Sequence, residues 1–152
     1  MARFTATTQT RPGRAGGIAV RLPFDPDEEW GPRDAHHVTG VVQGQCVRGQ
    51  LRAVDGVSYL ELGPAWCRDS GATPGMTVEI ELVPEGPQYA AMAPDLVAAF
   101  DAEPAARRFF ESLPTFYRQN FMRPIDQTKR PAPRARKIAE MMSALREGRR
   151  ER

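Results

Sequence analysis

Residues 116–142, FYRQNFMRPIDQTKRPAPRARKIAEMM, crowd cationic and aromatic side chains together. Arg123, Lys129, Arg130, Arg134, Arg136 and Lys137 form a candidate surface for phosphate or another acidic ligand, because guanidinium groups grip planar anions through two parallel hydrogen bonds. Phe116, Tyr117 and Phe121 interleave with those charges and offer ring faces on which bases could stack. The same spacing also describes the solvated face of an amphipathic helix with its aromatics turned inward. Both readings stay open at this level. Residues 121–152 hold ten Arg or Lys against four Asp or Glu, a local balance of +6 in a chain of net charge +2. Such asymmetry permits an anionic partner without requiring one.

Other chemistry finds less support. His36 and His37 are adjacent, so on a strand they point to opposite faces and do not share one ion. No Cys, His or carboxylate cluster completes a ligand set by spacing, and no metal or other cofactor is expected. Cys46 reads as a small buried hydrophobe in mid-strand. Ser70 sits in the turn-rich RDSGATPG. Neither brings the His and orienting acid that a nucleophile needs. The GATPG run lacks the Lys-Ser/Thr ending of a phosphate loop and precedes a strand instead of a helix. The expectation is therefore a binding protein and not an enzyme. Two cysteines without a disulfide framework suit a reducing cytoplasm. Arg3, Arg11 and Arg14 are followed by no apolar signal core, and nowhere do 18 apolar residues run together, so no membrane insertion is expected.

These side chains must be carried by two kinds of element. In the first half, period-2 alternation recurs: Phe4, Ala6 and Thr8; then Ile18, Val20, Leu22 and Phe24; later Met76, Val78, Ile80 and Leu82 on the inward face. Residues 36–54 read as two β-rich runs split at Gln43-Gly44, and VSYLELG follows an Asp55-Gly56 turn. Trp30, in the polar connection DPDEEWGPRD, folds back as a lid. AWCRDSG suits one short helical turn. Six short strands make a small barrel or sandwich. Composition changes after PEGPQ, where Pro94, Pro104, Pro114 and Pro131 each open a helical segment at the position that needs no N–H. In the last of these, Ile138, Met141, Met142 and Leu145 form an apolar stripe, and Gly148 stops the helix. The expected division is a β domain over 1–88 and a helical domain over 89–152.

Together these stretches resemble a known family. FYRQNFMRPIDQTKRPAPRARKIAEMMSALREG resembles the C-terminal signature of the YdeI/OmpD-associated, bacteriocin-protection family, TKRPAPRARKIAE being its most specific part. GIAVRLPFDPDEEWG, VTGVVQGQCVRGQL and GATPGMTVEIEL resemble the small domain of unknown function that usually precedes it. The likeness spans nearly the whole chain. It implies an α+β protein of bacterial type: a double-split β-barrel, related in fold to AbrB-like DNA-binding proteins, followed by a helical segment. It implies no established enzymatic activity, and the family name rests on tolerance of antimicrobial peptides. Lys129, Arg134, Arg136 and Ile138 stand where the family has the same or a like residue. Phe121 stands where Tyr is usual, and Pro124 replaces the Trp of a Trp-Ile pair while Ile125 is retained. A proline at 124 cannot donate to the Asn120 carbonyl, so the helix is expected to bend or stop near Arg123.

The leading expectation is a non-catalytic cytosolic protein linked to protection against antimicrobial peptides or related stress, binding a peptide or other small ligand through Arg and Lys around 123–137. Nucleic-acid binding is the alternative, carried by the barrel's kinship and the +6 segment. The sequence leaves the oligomeric state open.

Overall fold

The computed structural model describes residues 1–151 and is α+β, with seven strands and six α-helices among them. The chain divides into two compact units: Met1–Pro32 with His36–Pro84, and Arg33–Ala35 with the residues from Glu85 onward.

The first unit holds strands β1 (Ala2–Thr7), β2 (Ile18–Arg21), β3 (His37–Val42), β4 (Gln45–Gln50), β5 (Arg52–Val54), β6 (Val57–Leu62) and β7 (Thr77–Pro84), with short helices α1 (Pro26–Trp30) and α2 (Pro64–Ser70). They form two antiparallel sheets, ordered β1-β7-β3-β4 and β2-β6-β5. The expected barrel is thus split into two sheets that share one apolar core. An isolated antiparallel bridge, Gln9 to Ala19, also occurs in this unit. The alternating residues do what their period requires: Ile18, Val20, Val78, Ile80 and Leu82 are almost completely buried. Gln43-Gly44 and Asp55-Gly56 turn with φ positive at both residues, the backbone twist of tight two-residue hairpins.

Three local expectations need correction. The run expected to continue to residue 54 breaks at Leu51, whose N–H donates to the His36 carbonyl at 2.9 Å; the chain there leaves one sheet for the other, which makes seven strands from six. Met76 is exposed, because β7 begins only at Thr77. The Met76 N–H is taken by the Thr8 hydroxyl at 2.9 Å in the preceding turn. Cys46 is exposed as well, since on edge strand β4 its neighbour Val47 takes the inward position. Trp30 does fold back: it meets Phe24 edge-on at 5.3 Å, and Phe24 meets Phe4 at 5.8 Å.

The second unit contains helices α3 (Pro94–Ala102), α4 (Pro104–Ser112), α5 (Thr115–Asp126) and α6 (Pro131–Arg146) around Leu96, Phe100, Phe110, Phe121, Ile125 and Met141. Proline opens α3, α4 and α6, where no helical acceptor awaits an N–H; Pro114 instead precedes α5 as its N-cap. The stripe of Ile138, Met141, Met142 and Leu145 is buried. Gly148, at φ 71°, ends α6 with two bonds: its own N–H to Leu145 and the Arg149 N–H to the Ala144 carbonyl.

Helix α5 does not stop at Arg123. It runs through Pro124 to Asp126, and the Gln127 N–H still reaches the Arg123 carbonyl at 3.0 Å. The proline lies in the final turn, so it removes one donor only, and few residues beyond it need helical partners. Thr128 adds a local stop, its hydroxyl donating to the Pro124 carbonyl at 2.7 Å.

Candidate functional site

The basic residues of the second unit separate into anchored and outward-facing sets. Arg134 is anchored: Nε and Nη2 pair with both oxygens of Asp95, at 2.5 and 3.1 Å, and Nη1 donates to the Ile125 carbonyl at 2.8 Å. This fork ties the start of α6 to the start of α3 and the end of α5. The Arg134 hydrogen bonds hold the Asp95 carboxyl below the usual carboxylate range, and the same bonds push Arg134 upward. Lys137 is also engaged, donating to the Thr128 hydroxyl at 2.8 Å. Lys129, Arg130 and Arg136 are exposed, and so is Arg123, whose Nη1 reaches the Asn120 side chain at 3.4 Å. The six expected cations thus differ in their engagement: Arg134 and Lys137 are bonded to the protein, whereas Arg123, Lys129, Arg130 and Arg136 are exposed.

The aromatics divide too. Phe121 is 1% exposed and belongs to the helical core, so its ring face is closed to a stacking ligand. Tyr117 is half-buried. Phe116 is the outward aromatic, 64% exposed and edge-on to Tyr117 at 5.4 Å.

What the fold does assemble is a hollow of about 450 Å³ on α5, lined by Asn120, Phe121, Arg123, Pro124, Gln127, Arg150 and Glu151. Its far wall comes from the segment after α6. The Gly148 turn reverses that segment, and Arg150 then stacks over the Tyr117 ring at 5.7 Å. Arg123 and Gln127 also border a second hollow of about 330 Å³ with Pro87, Gln119, Met122 and Asp126. Pro124 contributes more than shape. Having no N–H, it leaves the Asn120 carbonyl without its helical donor, and Asn120 and Pro124 both line the first hollow. Among the described residues, its lining carries two guanidinium groups, two carboxamides and one carboxylate.

Sequence reasoning did not single out Arg150, which lies in the tail after the Gly148 stop yet lines the hollow. It also missed a buried ionic network in the same unit. Arg118 is 1% exposed, donating from Nη1 to the Glu85 carbonyl at 2.7 Å and from Nη2 to the Pro87 carbonyl, with its guanidinium over the Phe110 ring. Burial, and after it the nearby Arg33 charge, pushes Arg118 down to about 10, so it stays charged at neutral pH. Glu111, also buried, is held by Arg33 at 3.0 Å and Arg107 at 2.6 Å. These groups orient the loop before α3 and the N-terminal half of α5. The signal for them was a charged residue at a core-facing helical position, with Arg118 three residues before Phe121.

No group of three His, Cys, Asp or Glu side chains with metal-holding geometry occurs among the described residues. No helix there is long and apolar enough to cross a membrane. Residues 90–148 match the family described as bacteriocin-protection, YdeI or OmpD-associated. Residues 4–82 match the domain of unknown function DUF1905. No curated protein matches the chain.

Proposed function

From the premise that the chain belongs to the bacteriocin-protection, YdeI/OmpD-associated family, with the domain of unknown function in front, we propose that it protects cells against antimicrobial peptides by binding instead of catalysis. The observation that supports this reading is the α5 hollow, with Arg123 and Arg150 on its walls beside the carboxamides of Asn120 and Gln127. Such groups recognise the polar ends and backbone of a peptide, and they hold without reacting. The cytoplasm is the proposed compartment, in keeping with the free thiols of Cys46 and Cys67. Bacteria sensitive to a bacteriocin, expressing the intact chain, should survive a higher dose than cells expressing the Arg123→Gln, Arg150→Gln double variant. Equal killing of cells with and without the protein would overturn the reading.

A second reading, nucleic-acid binding, draws on the exposure of Lys129, Arg130 and Arg136 around the start of α6. Replacing all three by Gln should then flatten the log–log salt dependence of DNA or RNA affinity by roughly 0.7–0.9 per lost phosphate contact. Absence of binding at low salt ends this alternative.

A further inference from the structure

We propose that two copies of this chain associate through strand β1, the two β1 strands pairing antiparallel across a two-fold axis at Thr5. This association is independent of the protective role above.

Strand β1 lies at the end of its sheet, with β7 on one side only. Alternate residues of an antiparallel strand turn their N–H and C=O toward a given neighbour. The Thr8 N–H reaches the Met76 carbonyl at 2.8 Å, so the even-numbered residues face β7 while Arg3, Thr5 and Thr7 face away. Gln9 continues this outward row and exchanges both bonds with Ala19 of β2, at 2.9 and 2.7 Å. That bridge is isolated, and pairing with β2 does not extend along β1 to Thr7, Thr5 or Arg3. All three residues are exposed.

Proteins blunt the free edges of sheets with short strands, charges or covering groups, because a bare edge is a template for another strand. The other three edges, β4, β2 and β5, follow this rule. β5 has three residues, and the open side of β2 carries the Gln9 bridge. β4 has Arg48 near its middle, and Trp66 Nε1 donates to its Cys46 carbonyl at 3.1 Å. β1 is six residues long without proline, and its one charge, Arg3, is paired at 2.8 Å with Glu81 of the neighbouring strand.

The residues of β1 select a second copy as the occupant. With Thr5 on the axis, Arg3 of each copy lies opposite Thr7 of the other, and the outward groups of all three residues exchange reciprocal bonds. Thr5 meets Thr5, a favourable cross-strand pair, and no like charges are opposed. On the other face of the strand, Phe4 comes against Ala6 of the second copy, a large side chain beside a small one. Both are only half-buried in a single chain although they pack on its core. A register that set Arg3 against Arg3 would oppose two guanidinium groups, so charge also fixes the alignment.

Sedimentation of the intact protein over roughly a hundredfold range of concentration should show a reversible monomer–dimer equilibrium. In the concentrated sample the amides of Arg3, Thr5 and Thr7 should exchange with deuterium more slowly, while those of Arg48 and Gln50 should not change. Thr5→Pro removes the N–H at the axis. Because that N–H faces away from β7, the dilute monomer should melt as the parent does. The dimer dissociation constant should rise at least about tenfold, the worth of the two backbone bonds lost. Thr5→Arg sets like charges on the axis and keeps the backbone donor, and it should weaken the dimer as well. A protein monomeric throughout, a dimer indifferent to either substitution, or slowed exchange confined to other strands would each overturn the proposal. So would a monomer whose Arg3, Thr5 and Thr7 amides are protected only by added random-sequence peptides, which would give this edge to a partner's strand instead.

Discussion

At the scale of single residues, two arginines of the helical unit show how environment and not residue type assigns a role. Arg134 was a candidate ligand arm by spacing, yet Asp95 and the Ile125 carbonyl occupy three of its donors. Because Asp95 titrates below its unfolded value of about 3.9, this pair contributes stability that is present above that pH and is lost as pH falls through the folded value. Acid-unfolding curves of the parent and Asp95→Asn should differ above about pH 4 and converge below it. A constant gap down to pH 2 would count against the pair. Arg118 poses the opposite case, a charge withdrawn from water and held by two carbonyls. Arg118→Ala should cost about 3–5 kcal/mol in chemical denaturation, in the range found when one side of a buried charged interaction is removed. Arg118→Lys should recover little of that, because a single ammonium lacks the planar fork that spans both acceptors.

At the scale of elements, the strands followed their period closely, and the deviations came at element ends. Gly40 shows why register has a second determinant beside alternation. In β3 it lies opposite Leu82 of β7, and a Cβ added there would come within 1.8 Å of the Glu81 carbonyl oxygen. That atom is backbone and cannot swing aside. Gly40→Ala should therefore cost more than about 3 kcal/mol or shift the β3–β7 register, read by thermal unfolding and by amide exchange along β7. A neutral substitution would mean that the two strands lie further apart. Helix α5 carries the converse lesson. A proline in an otherwise helical pattern predicts an ending, but in the last turn the loss of one donor leaves the remaining bonds intact.

At the scale of the whole molecule, the strand unit has its own apolar core, built from residues between Ile18 and Leu82. A fragment of residues 1–90 should remain in solution and unfold cooperatively on heating, whereas an aggregating fragment without a transition would show that it needs the helices to complete its core. A fragment starting at Glu85 should be the weaker of the two, because it lacks Arg33 and leaves the buried Glu111 with Arg107 alone. The amino-acid sequence by itself determined the α+β class, most of the strand faces, the proline-opened starts of α3, α4 and α6, the Gly148 stop and the family. Each of these rests on neighbours within a few residues, where period, turn chemistry and capping act. Tertiary structure decided the rest. It joined Arg33–Ala35 to the helical unit, the Asp34 N–H reaching Ser112 across 78 residues of sequence. It buried Phe121, tied Arg134 to Asp95, and folded Arg150 back over Tyr117 beside Pro124. Those outcomes depend on which faces meet after the helices pack, and pairing between distant positions leaves no periodic trace in the chain.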